Sequence, residues 1–217
     1  EATGSLNDEQ LRKLFERLTY LRNLEEKKAQ VLKSIEEQGK LTDELRAEIE
    51  AAETQVAVDD LYRPYRPKRR TRATIAKEQG LEPLANIILL QETDKNPKEL
   101  AKEYINEEKG VKTVKDALQG ALDIIAEVIS DNADYRKAIR DLTYRLGRIS
   151  STAKKPDVKT VYDNYYKYEE EMTKIAGHRV LAVNRGEAEK VLTVKVIAPV
   201  ELIHDYLTRH VITKNNP

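Results

Sequence analysis

Apolar residues recur at helical spacing near the start of this chain, and this periodicity restricts the fold more than any other feature. Between Leu11 and Ile35 they are separated mostly by three, four or seven residues, the spacing of one helix face. Asn7 and Gln10 have the spacing of a capping box, and Gly39 fits the left-handed position that ends a helix. We therefore predict one long amphipathic helix of about nine turns at 3.6 residues per turn.

A second helix is predicted immediately after this first one. Thr42 is placed to cap it, and its apolar residues share one face: Leu45, Ile49, Ala52 and Val56. Because the loop between the two helices is short, they should form an antiparallel hairpin. Pro64 and Pro67 should end the second helix, since proline lacks an N–H and disfavours helix in the residue before it.

Helix-start signals also recur through the middle of the chain, at Thr71, Pro83, Asn96, Thr113 and Asn132. The helix that begins near Thr113 has the widest apolar face, so we expect it to lie at the centre of the helical core.

The pattern changes after Gly147. Residues 191–196 alternate apolar and polar side chains, which indicates a strand, and Pro199 precedes a last helix. We predict a mainly α fold, a multihelical array that starts with a long antiparallel helical hairpin and has a small β element near the C-terminus. A helical region is expected over residues 1–147 and a mixed helix and strand segment over residues 148–217.

The residue inventory argues against an enzyme. The chain has no cysteine and only three histidines, and His204 and His210 are six positions apart, which does not place them on one helix face. Neither a phosphate-binding loop motif nor a dinucleotide-binding motif is present. We therefore predict no catalytic residue, no metal site and no cofactor. No apolar run approaches the roughly 20 residues of a membrane span.

Residues 61–77 concentrate positive charge. They contain seven basic side chains and no acidic one, whereas residues 1–60 contain 15 acidic and nine basic side chains. Two interpretations remain open: the cations contact nucleic-acid phosphates while the tyrosines stack on unpaired bases, or they pair with the acidic helices of residues 25–60. The candidate nucleic-acid-binding residues are Tyr62, Arg63, Tyr65, Arg66, Lys68, Arg69, Arg70 and Arg72.

A second tyrosine cluster lies at residues 162–168 and has nearly helical spacing. We expect these side chains to pack at the edge of a domain rather than to bind a ligand.

Four segments have a specific family pattern: EATGSLNDEQLRKLFERLTYLRNLEEKK at 1–28, EEQGKLTDELRAEIEAAET at 36–54, LYRPYRPKRRTRATIAKEQGLEPLA at 61–85 and HRVLAVNRGE at 178–187. Together they resemble the N-terminal helical region of the bacterial Tex family of transcription accessory proteins. Relative to that family, the chain is expected to be a fragment that lacks an earlier helical segment, the RNase H-like YqgF domain and the C-terminal OB-fold RNA-binding domain.

The resemblance implies a cytoplasmic protein whose full-length form binds RNA or DNA, with RNA polymerase or another transcription protein as a candidate partner and no membrane contact. It therefore implies a non-catalytic helical scaffold, to which the basic segment 63–77 adds an auxiliary phosphate contact. The alternative is a structural or protein-interaction domain that does not touch nucleic acid.

Overall fold

A computed structural model describes residues 6–67 and 69–214. It divides into two compact units, which we call the helical unit (Glu1–Leu90 and Lys95–Ala133) and the mixed unit (Gln91–Asp94 and Asp134–Pro217). Most of the described residues are helical and one small antiparallel sheet is present among them, so the predicted mainly α fold with a small β element is confirmed. The boundary predicted after Gly147 stays a prediction.

The helices of the helical unit are α1 (Asp8–Glu37), α2 (Asp43–Ala51), α3 (Gln55–Tyr62), α4 (Arg72–Glu78), α5 (Glu82–Leu90), α6 (Pro97–Ala101) and α7 (Val114–Asp131). The mixed unit contains α8 (Ala133–Leu146), β1 (Arg148–Ala153), β2 (Lys167–Glu171), α9 (Gly177–Ala188), β3 (Leu192–Ile197) and α10 (Val200–Val211). No helix in residues 6–67 and 69–214 is both long enough and apolar enough to cross a membrane.

The predicted ends of α1 are confirmed. The Asn7 side chain accepts from the Gln10 N–H at 2.9 Å, and the Gln10 side chain accepts in turn from the Asn7 N–H at 3.0 Å. Gly39 has φ of +65°, the left-handed region in which glycine meets no side-chain penalty. Thr42 then caps α2, as predicted.

α2 runs antiparallel to α1, which confirms the predicted hairpin. Near the loop, Arg46 lies against Glu36 at 3.3 Å, and further from the loop the Lys28 ammonium donates to the carbonyl of Glu50 at 2.8 Å. The two helices share a core with α3, whose fully buried members are Ile35, Ile49 and Val58.

The second helix does not continue to Val56, and that part of the prediction was wrong. Ala52 and Thr54 are extended, and the Thr54 hydroxyl accepts from the Ala57 N–H to start a separate helix, α3. The chain reverses there, so that Val58 is buried and Val56 is 48% exposed. A threonine that caps a new helix outweighed the apolar periodicity across the break.

α7 lies at the centre of the helical unit, as its wide apolar face predicted. Its buried residues pack with those of α4, α5 and α6 in one cluster. Gly120 allows α7 to lie close to Leu81 and Ala76, because a Cβ at this position would lie 2.3 Å from the Leu81 Cδ1 and 3.2 Å from the Ala76 Cβ. The Thr113 capping box at the start of α7 is also present.

The mixed unit is built on a three-stranded sheet with the order β2-β1-β3 and antiparallel pairing throughout. β3 confirms the strand expected at residues 191–196, and α10 confirms the helix expected after Pro199. The first strand buries Ser151, whose hydroxyl donates to the carbonyl of Tyr165 at 2.7 Å.

β2 was missed by the sequence analysis. The near-helical tyrosine spacing at 162–168 falls on a short 3-10 turn, Asp163–Tyr165, followed directly by the strand. Tyr162 is buried and Tyr165 packs edge-on against Tyr168, so these three rings serve packing within the unit. The acidic run Glu169–Glu171 concealed the strand, since such a run has low β propensity.

Candidate nucleic-acid interface

The basic segment covers the connection from α3 to α4 in the helical unit and most of α4 itself. Tyr62 is the last residue of α3, and the N–H groups of Tyr65 and Arg66 both donate to its carbonyl, at 2.9 and 3.0 Å. Thr71 caps α4 by accepting from the Thr74 N–H at 3.1 Å. The connection between the two helices is thus fixed at both ends. The helix that ends before Pro64 is α3, and not the second helix that the prolines were predicted to end.

The two tyrosines of the segment face inward. Tyr62 and Tyr65 are half-buried and pack against the core that α1, α2 and α3 share. The Tyr62 hydroxyl hydrogen-bonds with the Ser34 hydroxyl at 2.9 Å, and the Tyr65 carbonyl accepts from the Gln38 side chain at 3.0 Å. Packing therefore accounts for both rings, and neither is held out as a free stacking platform.

Three cations of the segment are tied to one helix. Their acidic partners all lie on α7: Arg63 with Asp131 at 2.9 Å, Arg72 with Asp123 at 3.9 Å and Lys77 with Glu127 at 3.8 Å. These partners differ from the acids of residues 25–60 that the sequence suggested. A fourth cation, Arg70, pairs locally with Glu78 at 2.6 Å, and both of these side chains are exposed.

Arg66 and Arg69 differ from these four cations because they have no acidic partner among the described residues. Both are exposed, and neither forms an ion pair with any residue in the described part of the chain. Lys68, which lies between them next to Pro67, is outside the described residues. The described cations of the basic segment thus comprise three that lie against acids of α7, one that pairs locally with Glu78, and two exposed arginines without an ion pair.

Arg63→Ala is expected to lower the free energy of unfolding of the helical unit by about 1–2 kcal/mol, because the Asp131 side chain is only 10% exposed and loses a charged donor. The value is below that of a fully buried pair because Arg63 itself is 44% exposed. Urea denaturation followed by circular dichroism measures it. Arg66→Ala is the matched control and should leave stability unchanged. Equal effects of the two variants would contradict the anchoring role.

The mixed unit contains another polar cluster, at Tyr168, Glu170 and Arg179. The Tyr168 hydroxyl donates to Glu170, and Arg179 donates to both oxygens of the same carboxylate at 3.0 and 2.9 Å. These two donors hold the pKa of Glu170 below its usual value, with the tyrosine hydrogen bond as the larger cause. Burial, followed by this hydrogen bond, raises the pKa of Tyr168. The cluster fastens β2 to α9 and is fully paired.

No group of three or more histidine, aspartate and glutamate side chains is gathered to hold a metal ion within residues 6–67 and 69–214.

Two family models match this chain. The family described as Tex central region-like matches residues 92–214, and the Tex-like protein N-terminal domain matches residues 1–36. The first match alone covers more than half of the chain. The chain belongs to the Tex family.

Curated relatives extend over nearly the whole chain. Uncharacterized protein YdcI of Bacillus subtilis is 46% identical over 98% of this chain and 30% of its own length. Transcriptional accessory protein Tex of Neisseria gonorrhoeae is 46% identical over 89% of this chain and 26% of its own. S1 RNA-binding domain-containing protein 1 of Homo sapiens is 30% identical over 90% of this chain and 20% of its own. The chain thus spans less than a third of the length of each of these relatives.

Proposed function

We propose that this chain is a non-catalytic helical scaffold within a nucleic-acid-binding transcription accessory protein of the cytoplasm, and that Arg66 and Arg69 add a phosphate contact to it. Family membership and the names of two relatives, one a transcriptional accessory protein and one an S1 RNA-binding domain-containing protein, support the wider role. The phosphate contact is supported by the chain's own geometry.

The observation that carries the proposal is the division of the basic segment. Arg63 pairs with Asp131 of α7 at 2.9 Å, and Arg72 and Lys77 lie 3.9 and 3.8 Å from further acids of the same helix, with Arg72 84% exposed. Arg66 and Arg69 are exposed and without an ion pair among the described residues. A guanidinium group supplies several donors in a planar fork that matches the geometry of a phosphate.

The contact should be weak and independent of sequence. Phosphate contacts fix position on a nucleic acid but carry no base information, and two of them release few counterions. The half-buried tyrosines Tyr62 and Tyr65 offer little additional stacking.

Arg66→Ala/Arg69→Ala is expected to flatten the salt dependence of RNA binding. For single strands each phosphate contact contributes about 0.7 to the slope of log K against log salt, so two contacts contribute about 1.4. Fluorescence anisotropy of labelled oligo-uridine RNA with the 217-residue chain, across a salt series, measures this slope.

The matched control is Arg12→Ala/Arg22→Ala, which removes two exposed arginines from α1 in the same unit. It lowers the net charge equally, so a general charge effect would change its slope as well. An unchanged slope in the Arg66 and Arg69 variant, or an equal change in both variants, would refute the phosphate contact.

A second candidate, a protein-interaction role without nucleic acid, is favoured by the surface of α1. The first half of this helix keeps its apolar face exposed, with Leu14 at 54% and Phe15 at 68% exposure. The absence of detectable RNA binding by the parent chain would favour this alternative.

A further inference from the structure

We propose that the mixed unit has a separate phosphate-binding site, the lysine pocket, which takes one nucleotide of a single-stranded nucleic acid. The pocket is a cavity of about 280 Å³ lined chiefly by Lys154, Lys155, Val158, Tyr166, Lys190 and Val191. Its residues do not overlap with the basic segment of the helical unit. The choice of nucleic acid over other phosphorylated ligands rests on the proposed function.

Hydrogen bonds to backbone carbonyls hold the walls of the lysine pocket together. The Lys154 N–H donates to the Val191 carbonyl at 2.9 Å, which joins the end of β1 to the segment after α9. The Tyr166 hydroxyl donates to the Val158 carbonyl and also hydrogen-bonds with the Thr160 hydroxyl at 2.9 Å. The loop after β1 is therefore fastened to Tyr166, and the lysines belong to a concavity with fixed walls.

The three lysines of the pocket lack counter-charges. Lys154, Lys155 and Lys190 form no ion pair with any residue that the structure describes. Some other cations of the unit are paired, as in Lys174 with Glu171 at 2.8 Å, whereas Lys137 and Lys195, like the pocket lysines, form no ion pair with a described residue. Asp157 lies in the same loop but is exposed and makes no ion pair with these lysines. Three exposed lysines without ion pairs line one cavity, and this arrangement favours an anionic ligand.

Lys190 provides an independent observation. Its φ is +60°, the left-handed position just after α9, where glycine is favoured because it has no Cβ. Its N–H donates to the Glu187 carbonyl at 2.9 Å and the next N–H, of Val191, to the Gly186 carbonyl at 3.0 Å, which ends the helix. A lysine at this position costs stability that glycine would not cost, and strained residues of this kind occur preferentially at functional sites.

The composition of the pocket matches a nucleotide in two parts. The ammonium groups suit the phosphate, while Val158, Val191 and the ring of Tyr166 offer an apolar surface to the base or ribose. The cavity lies near the lower end of small-ligand sites, which begin at about 300 Å³, so it admits one nucleotide rather than a longer segment.

Lys154→Ala/Lys190→Gly is expected to weaken the binding of labelled oligo-uridine RNA by the 217-residue chain. It should also lower the magnitude of the salt slope by about 0.7, the contribution of one phosphate contact, because the pocket takes one nucleotide. Lys137→Ala/Lys195→Ala, which removes two exposed lysines of the same unit outside the pocket, is the control and should leave binding nearly unchanged.

Lys190→Gly alone separates binding from folding. Because glycine relieves the left-handed strain, its Tm should be equal to or above that of the parent chain, while its RNA affinity should fall. A variant that keeps both full affinity and the full salt slope would overturn the proposal, because no loss of structure could then hide the effect of removing the lysine.

Lysine acylation followed by mass spectrometry distinguishes a nucleic-acid strand from a small phosphate as the ligand of the lysine pocket. Oligo-uridine RNA should protect Lys154 and Lys190, and should do so at lower concentration than uridine monophosphate or inorganic phosphate. Protection by the small phosphates without protection by RNA would overturn the assignment to a strand, and an absence of protection by all three would overturn the site.

The arginine and lysine variants test the phosphate contact of the basic segment and the lysine pocket independently of each other. If Arg66→Ala/Arg69→Ala leaves the salt slope unchanged while Lys154→Ala/Lys190→Gly lowers it, the lysine pocket stands and the phosphate contact of the basic segment is refuted. The converse result refutes the lysine pocket and leaves the proposed function in place.

Discussion

Leu84→Ala is expected to lower the free energy of unfolding of the helical unit by about 2–5 kcal/mol, the range for truncating a large buried aliphatic side chain. Leu84 is 0% exposed and belongs to the cluster in which α4, α5 and α6 pack against α7. Truncation removes the branched end of the side chain from water-excluded surroundings and leaves a cavity that rigid neighbours fill only partly.

Urea denaturation measures this loss as a shift of the midpoint at constant slope, and hydrogen exchange of the α7 amides assigns it to the helical unit. Leu90→Ala is the matched control on the same helix, because Leu90 is 61% exposed. It should change stability by no more than about 0.5 kcal/mol. Comparable losses in the two variants would contradict the packing of α5 against α7.

Gly147→Ala is expected to destabilise the mixed unit by about 3 kcal/mol, the upper part of the range for overpacking. A Cβ at Gly147 would lie 2.3 Å from the Thr143 carbonyl oxygen and 3.2 Å from both the Ile197 carbonyl oxygen and the Met172 Sδ. Two of these three neighbours are backbone atoms, which cannot rotate away as a side chain can. Gly147 lies between the end of α8 and the start of β1, where these backbone atoms leave no room for a side chain.

Gly177→Ala is the control for this substitution. Gly177 begins α9, and a Cβ there would meet no heavy atom within 4 Å. Alanine restricts the unfolded chain more than glycine does, so this variant should be neutral or more stable by about 0.4–1 kcal/mol. Thermal unfolding of the two variants gives the comparison. A Gly147→Ala protein as stable as the parent would show that the close approach of these backbones is not tight.

Helix ends were the most predictable part of the fold. Asn7, Thr42, Thr71 and Thr113 each cap the helix that the sequence assigned to them, because a side-chain oxygen and the N–H it bonds lie two or three residues apart. Local chemistry of this kind can be recognised without knowing the tertiary structure. The central position of α7 was predictable because the width of its apolar face can also be read locally.

Two elements were not predictable from periodicity. The break between α2 and α3 interrupts an apolar spacing that continues from Ile49 to Val56, and only the extended residues Ala52 and Thr54 reveal it. β2 has the sequence of a charged segment, yet it forms because β1 offers it an edge to pair with. β2 depends on pairing between segments distant in sequence, which tertiary packing decides, whereas the break depends on the Thr54 cap, a local signal that the apolar periodicity concealed.

The candidate site was predictable in its location but not in its internal organisation. An excess of charge at residues 61–77 is visible in the sequence, whereas the pairing of Arg63 with Asp131 joins residues 68 positions apart. The lysine pocket left no signal, because the segments of Lys154 and Lys190 come together through the pairing of β1 with β3 and the hydrogen bond from the Lys154 N–H to the Val191 carbonyl. The left-handed backbone of Lys190 was equally hidden.

The most direct test of the divided basic segment compares Arg66→Ala/Arg69→Ala with Arg63→Ala, measuring for each the salt slope of RNA binding and the Tm. Arg66→Ala/Arg69→Ala should flatten the salt slope and leave the Tm unchanged, because both arginines are exposed and form no ion pair among the described residues. Arg63→Ala should lower the Tm and leave the salt slope nearly unchanged, because it removes the hydrogen bond from Arg63 to Asp131. The reverse pattern, with the Tm sensitive to Arg66 and Arg69 and the slope sensitive to Arg63, would contradict the assignment of anchoring and binding roles.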